Sequence, residues 1–418
     1  MPDNELTALL KPRREVVFVD TAESLADCVA ELATHSGEFA LDAERASGFK
    51  YSQRAYLIQI SRRSSKLYLI DPIAIAPGGG VESFSELEKL LATDTWILHA
   101  ATQDLGCLAE LGLRPTSIFD TELGSRLTGL ERVGLGAVVE HYLNLRLAKE
   151  HSAVDWSKRP LEASWLDYAA LDVDVMHEVM DGVRGDLAAE DKAAWAAEEF
   201  QALLSFAPKP PKVDRWRGTT GLHDVKDQRG LAVARELWQA REDLGRKLDV
   251  SPGRLIPDVS ISHVAKTLPR SRPILAADKS FHGRASRNYL DTWWDAVSRG
   301  LETTDLPPIR VAATGIPNHR NWPNKFPKAA ARLSLARTGL AELAKQLKLP
   351  VENLISPEPV RQVCWIERDD ADLDALTQEL LALGVRNWQA KFAAPILIAA
   401  IQKADVELTR QEPERTEP

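Results

Sequence analysis

Asp42 and Glu44 lie two residues apart at the end of an apolar run that includes Phe39, Ala40 and Leu41. In an extended backbone, residues i and i+2 project to one face, so the two carboxylates point the same way. Adjacent acids repel, and the pair becomes favourable when a cation lies between them. Taken alone, such a pair at a strand end is most often solvated. A third acid, Asp104, follows the apolar segment Trp96-Ile97-Leu98-His99 and falls in the first turn of the next expected helix. An acid there also offsets the helix macrodipole. His99 is a metal ligand by type, although one histidine at a strand end is more often a satisfied structural residue. Tyr168 and Asp172 are four residues apart in a helical stretch, which brings phenol and carboxylate to one face. Asp167 and Asp174 fall on other faces and are expected to be solvated.

The elements that must carry these groups are legible in the pattern. Between residues 15 and 125, short β-type runs at 15–19, 39–42, 56–61, 67–70, 96–99 and 117–119 alternate with amphipathic stretches at 22–34, 83–91, 102–111 and 121–127. The three strands at 39–70 are joined by short connections and predict an antiparallel meander, and the later ones alternate with helices. The expectation is a mixed α/β domain. From residue 136 to 206 the pattern is helical throughout, interrupted by a loop at 157–160.

Ala207-Pro208-Lys209-Pro210-Pro211-Lys212 cannot continue a helix and reads as a semi-rigid linker. Beyond it the chain is expected to be all-α, with a faint repeat at an offset of 99 residues. Leu248, Val250, Leu255, Ile256, Ile261 and Val264 align with Leu347, Leu349, Leu354, Ile355, Val360 and Val363. Two copies of one small helical module are the simplest account.

Charge is segregated along the chain. The formal net charge is −9, yet residues 1–205 sum to −15, residues 206–330 to +9 and residues 331–418 to −3. A basic middle attracts polyphosphate, and clustered carboxylates suit divalent cations. Attraction between the two regions in cis is the alternative. Membrane and secreted classes are not expected. The apolar run at 392–401 is too short to span a bilayer, and residues 1–14 lack an apolar signal core. Cys28, Cys107 and Cys364 are far apart and read as buried hydrophobes, which together suggests a cytoplasmic globular protein.

The order of the features is more specific than any one of them. An acid pair on an early strand, an acid after a later strand and Tyr-x3-Asp on a helix together resemble the DEDD 3′–5′ exonucleases of the tyrosine branch, most closely the ribonuclease D family. Tyr56-Leu57-Ile58-Gln59-Ile60, His99-Ala100-Ala101-Thr102-Gln103-Asp104, Ile118-Phe119-Asp120-Thr121 and Trp156-Ser157-Lys158-Arg159-Pro160-Leu161 extend the likeness over residues 15–185. Downstream, Leu231-Ala232-Val233-Ala234-Arg235-Glu236-Leu237-Trp238 and Pro252-Gly253-Arg254-Leu255-Ile256-Pro257-Asp258 resemble the helical HRDC domain. The resemblance implies a ribonuclease H-like α/β exonuclease domain at 1–206, a basic Pro-rich linker at 207–224 and an HRDC domain at 225–305. A second HRDC-like helical domain at 306–410 and a disordered tail at 411–418 complete the expected organisation.

It also implies a metal-dependent 3′–5′ exoribonuclease that trims RNA 3′ ends such as transfer RNA precursors, releasing nucleoside 5′-monophosphates. Two divalent cations, Mg²⁺ or Mn²⁺, would be held by Asp42, Glu44, Asp104 and Asp172, with Asp42 bridging. Tyr168 would orient the attacking water, because a phenol with a pKa of about 10 is a poor base. Gln59, His99 and Gln103 are candidates for contact with terminal nucleotides, and Lys158 and Arg159 for phosphate, each as readily structural. Lys209, Lys212, Arg215 and Arg217 around Trp216 suit single-strand binding, or a linker anchored by its tryptophan. A DNA-directed exonuclease and a catalytically silent RNA-binding scaffold are the competing functions.

Overall fold

The computed structural model describes residues 6–148, 154–208, 210–281, 283–311, 315–368 and 372–411, apart from the side chains of 405–411. Eight strands form in chain order: β1 (Thr7–Leu9), β2 (Val16–Val19), β3 (Phe39–Arg45), β4 (Ala55–Arg62), β5 (Leu67–Ile70), β6 (Trp96–Leu98), β7 (Ile118–Asp120) and β8 (Leu145–Leu147). Six of them make one mixed sheet in the order β2-β5-β4-β3-β6-β7. The meander β3-β4-β5 is antiparallel, and β2, β6 and β7 join it through parallel pairings. The mixed α/β sheet followed by helical modules is the architecture the pattern predicts.

Each sheet face has its own core, and strand alternation decides which residues enter which. Leu41, Ala43, Ile58 and Ile60 face helices Ala22–Ala33, Ser85–Leu91 and Leu105–Glu110. Ala40, Leu57, Leu67 and Leu69 face the opposite way, against Trp165, Leu171 and Met176. By the same period of two, Asp42, Glu44 and Gln59 share that second face, over which helix Ala163–Asp174 packs across β3, β4 and β5.

One expectation fails. The stretch 136–206 is not wholly helical, because β8 pairs in parallel with β1 near the N-terminus. Nothing in local periodicity announces a strand of three residues whose partner lies more than a hundred residues away. Cys28, Cys107 and Cys364 are buried free thiols, as expected. Among the described residues no helix is long and apolar enough to cross a membrane.

The helical modules differ in how they attach. Helix pairs Gln228–Leu248 and Pro327–Gln346, Pro252–Leu255 and Val351–Leu354, and Asp258–Thr267 and Pro357–Trp365 start at the common offset of 99 residues. The aligned pairs Leu255/Leu354, Ile256/Ile355, Ile261/Val360 and Val264/Val363 are all buried. The middle module closes its own core around Leu237, Ile261 and Trp293. Trp216 and Leu222 also belong to that core, so the later half of the expected linker is part of the module. The last module instead shares one continuous core with the catalytic domain. Trp388 stacks on Trp195 at 4.8 Å, its indole N–H donates to Glu199 at 3.1 Å, and Lys192 Nζ donates to the carbonyls of Leu127 and Lys348. Gln411, the first residue of the expected disordered tail, ends helix Asn387–Gln411, and residues 412–418 lie outside those described.

This shared core makes the catalytic domain and the last module one unfolding unit. Trp388→Ala is expected to destabilise it by about 3–5 kcal/mol. Urea titration should show the loss in the transition that carries catalytic-domain signals; a change confined to a separate minor transition would contradict the arrangement.

Candidate active site

Carboxylate oxygens of Asp42, Glu44 and Asp172 lie within 4.8 Å of one another. All three side chains are half-buried. Asp104 is buried and stands within hydrogen-bonding reach of Asp42, so Asp42 belongs both to the trio and to a pair. Among the described residues, no lysine, arginine or histidine forms an ion pair with any of the four. Burial raises the pKa of every one of them, and for Glu44, Asp104 and Asp172 the neighbouring carboxylates push the same way. Asp104 is pushed up to about 9, by desolvation first and then by Asp42. Arg45 is close enough to offset part of this charge on Asp42, Glu44 and Asp104, without an ion pair to any of them. Four crowded oxygen donors so weakly compensated fit hard divalent cations better than they fit the empty protein.

Local structure explains how each acid is held. Asp42 pairs with Gln59 and Glu44 with Leu57, but Arg45 pairs with Ala55, leaving Tyr56 as the extra residue of a β-bulge beside Glu44. Asp104 ends a tight passage from β6 in which Ala100 takes a left-handed φ of +62°. Asp120 stabilises that passage: its carboxylate accepts from the backbone N–H groups of Ala100, Ala101, Glu122 and Leu123. Tyr168 sits one turn before Asp172, and burial followed by the charges of Asp172, Glu44 and Asp42 raises its pKa, keeping the phenol neutral.

The clamp on helix Ala163–Asp174 corrects the reading of Asp174. It is buried, not solvated, and binds Arg13 at 3.1 Å and Arg14 at 2.9 Å. At the other end, Arg159 forks onto Asp71 at 2.5 and 2.8 Å and donates to the carbonyl of Tyr56 at 2.8 Å. Arg159 is thus engaged in structure and is no free phosphate ligand. Asp71, Asp120 and Asp174 were legible as acids but not as supports, because their partners come from distant segments.

The remaining candidates are dispersed. Gln59 is fully buried beside Asp42, and its amide has no partner among described residues, so it lies beneath the site and not on an open surface. His99 turns its Nδ1 to the Thr121 hydroxyl at 2.9 Å, and burial lowers its pKa to about 4, so it stays neutral and is engaged away from the acids. Gln103 and Lys158 are exposed. Trp216 is buried, Arg217 bonds Asp214 and covers the indole, and Arg215 lies 3.7 Å from Glu242. The anchored-tryptophan alternative therefore describes this segment. Lys212 is exposed, and Lys209 lies outside the described residues.

Comparison with known proteins gives a consistent pattern. The family described as 3′-5′ exonuclease matches residues 16–187, the HRDC domain matches residues 230–297, and the family described as 3′ to 5′ exonuclease C-terminal domain matches residues 315–401. The chain is 28% identical to ribonuclease D of Granulibacter bethesdensis over 289 residues, covering 67% of this chain and 69% of that protein. It is 25% identical to ribonuclease D of a Shewanella species over 358 residues, covering 82% and 85%. Among solved structures, a protein from Bifidobacterium adolescentis aligns with a TM-score of 0.85 at 33% identity, covering 95% of this chain and all of that one (100%). The Escherichia coli RNase D structure shares the fold, with a TM-score of 0.65 at 21% identity over 93% and 99% of the two chains.

Linkage gives the site a measurable signature. A carboxylate with a folded-state pKa above its unfolded value stabilises the metal-free protein fully below that unfolded value. The contribution is lost as pH rises through the folded pKa, here from near 3.8 to about 9 for Asp104. The metal-free chain should therefore melt lower at about pH 9 than at about pH 6, and Mn²⁺ should raise the high-pH Tm by about 3 °C or more. Asp172→Asn should raise the metal-free Tm and abolish the Mn²⁺ response. A variant that still responds like wild type would remove Asp172 from the cluster.

Proposed function

The chain belongs to the ribonuclease D family of 3′–5′ exonucleases, and on that premise we propose that its four clustered carboxylates hold two divalent cations, Mg²⁺ or Mn²⁺. The protein is a hydrolase, a 3′–5′ exoribonuclease. The observation that carries the reading is the convergence of Asp42, Glu44 and Asp172, with Asp104 on Asp42, at a site where no described lysine, arginine or histidine forms an ion pair with them and Arg45 offsets only part of their charge. Asp42 is common to the trio and to the pair with Asp104, so Asp42, Glu44, Asp104 and Asp172 are the residues that would hold the ions. When bound, such a pair of ions makes water nucleophilic at neutral pH and stabilises the departing oxygen.

The chain's own residues do the rest. Tyr168, neutral and adjacent to Glu44 and Asp172, holds the attacking water by hydrogen bond and does not take its proton. Attack on phosphorus breaks the bond to the 3′ oxygen of the penultimate nucleotide. The terminal residue leaves as a nucleoside 5′-monophosphate and the shortened strand keeps its 3′ hydroxyl. Arg159 and Asp71 hold the helix that carries Tyr168 and Asp172 against β4, which preserves the reacting geometry.

The substrate we propose is the single-stranded 3′ end of structured RNA in the cytoplasm, with transfer RNA precursors as the leading candidates. The relatives' name, ribonuclease D, supports RNA over DNA. The middle module supports a long substrate: Lys247, Arg270, Arg284 and Arg287 are exposed and form no ion pair with a described residue. Such cations contact phosphate and release counterions.

Labelled single strands of RNA and DNA, incubated with Mn²⁺ with and without EDTA, test the proposal. Metal-dependent laddering from the RNA 3′ end is expected, and none from Asp172→Asn. Preference for DNA, or binding without products, would overturn it. Tyr168→Phe is expected to lower kcat by about 10²-fold while leaving the Mn²⁺ thermal shift intact; loss of both would make Tyr168 a support of the metal site.

A further inference from the structure

Residues 46–54, between β3 and β4, leave the catalytic strand two residues after Glu44. The middle helical module grips this loop along its length. Asp249 Oδ1 accepts from the Ser52 N–H at 2.8 Å, and Asp249 Oδ2 accepts from the Tyr56 hydroxyl at 3.3 Å. The Ser251 N–H donates to the Phe49 carbonyl at 3.0 Å. Arg254 donates to the Gly48 carbonyl at 2.7 Å and lies 4.0 Å over the Phe49 ring. The Tyr51 hydroxyl donates to Glu242 at 3.2 Å. A Cβ on Gly245 would come to 3.0 Å from the Val250 carbonyl and 3.2 Å from the Tyr51 ring, so the bare helix position serves both the module's own turn and the seat of that ring.

Tyr56 makes the grip consequential. It is the bulge residue beside Glu44, it is buried, and its carbonyl receives Arg159 at 2.8 Å. Arg159 anchors the segment entering helix Ala163–Asp174. Asp249 therefore touches the point from which both halves of the carboxylate cluster are set: β3 with Asp42 and Glu44, and the helix with Tyr168 and Asp172.

We infer that the middle module tunes the chemical step, with Asp249 as a positioning residue acting through Ser52 and Tyr56, beyond any part the module has in holding RNA. The inference rests on the hydrolytic reading above. Sign of charge separates it from RNA binding: removing an acid from a basic module cannot weaken phosphate contact electrostatically. Asp249 has a left-handed φ of +49°, a conformation glycine adopts freely, so Asp249→Gly removes the contacts without backbone strain.

The experiment uses the full-length chain, Mn²⁺ and two substrates, a diribonucleotide that fills only the cleavage site and a long single-stranded RNA. Asp249→Gly is expected to lower kcat on both by about tenfold, with KM changed less than about twofold. Asp249→Asn, which keeps the acceptor oxygen, should recover most of the rate. Hydrogen exchange should show faster amide exchange over residues 42–58 in the glycine variant. Wild-type kcat and unchanged exchange in Asp249→Gly would overturn the inference, as would a loss confined to KM on long RNA. A wild-type chain without turnover would instead sink the hydrolytic reading, and the exchange comparison would then decide the coupling alone.

Discussion

Mutual repulsion of carboxylates is the constraint around which this molecule is organised. At an effective dielectric constant of about 20, two full charges some 5 Å apart repel by roughly 3 kcal/mol, and the site gathers three acids within 4.8 Å plus a fourth on one of them. Such a cluster survives because its members ride on separate rigid elements that are tied elsewhere. Arg13 and Arg14 fix the C-terminal end of the helix carrying Tyr168 and Asp172, Arg159 and Asp71 fix its approach, and Asp120 braces the passage leading to Asp104. Arg13, Arg14 and Arg159 are spent on these supporting acids, and Arg45 offsets only part of the charge of the four without pairing to any of them, which leaves the remainder for cations from solution.

The duplicated helical pattern is put to two different uses. The last module merges its core with the catalytic domain through Trp388, Trp195 and Lys192, so the catalytic sheet does not end where its sequence pattern ends. The middle module keeps a separate core and reaches the catalytic domain mainly through polar groups around residues 46–54. A shared apolar core unfolds together, whereas a polar clasp can loosen locally. Similar helices therefore serve as foundation in one place and as an adjustable contact in the other.

Six strands and the antiparallel meander were legible from local periodicity, as were the shared faces of Asp42 with Glu44 and of Tyr168 with Asp172; grouping these with Asp104 as one site came from the family resemblance. What local patterning could not carry is every feature made by distant partners. The β1–β8 pair, the burial of Asp174 by Arg13 and Arg14, and the engagement of Arg159 by Asp71 all join segments far apart in the chain. His99 was ambiguous for the same reason, since only the fold brings Thr121 to its ring. Residue type left Gln59 open between a nucleotide contact and a structural part; its burial, opposite Asp42 on a strand buried along its whole length, is a product of the sheet.

The segregation of charge along the sequence admits a simple explanation, the basic middle drawn to the acidic catalytic half, and the contact geometry argues against it. Among the described residues the one ion pair crossing between those regions joins Lys50 of the catalytic loop to Asp249 of the middle module, at 3.9 Å. Its polarity is the reverse of the bulk imbalance. The module presents Glu242 and Asp249 to the loop, and its arginines there, Arg246 and Arg254, bind a phenol, a carbonyl and aromatic rings. Cis attraction thus consumes little of the surplus. Lys247, Arg270, Arg284 and Arg287 remain on the surface without a described acidic partner, and an exposed positive excess on the module that clasps the catalytic domain is matched in chemistry by a polyanion from outside.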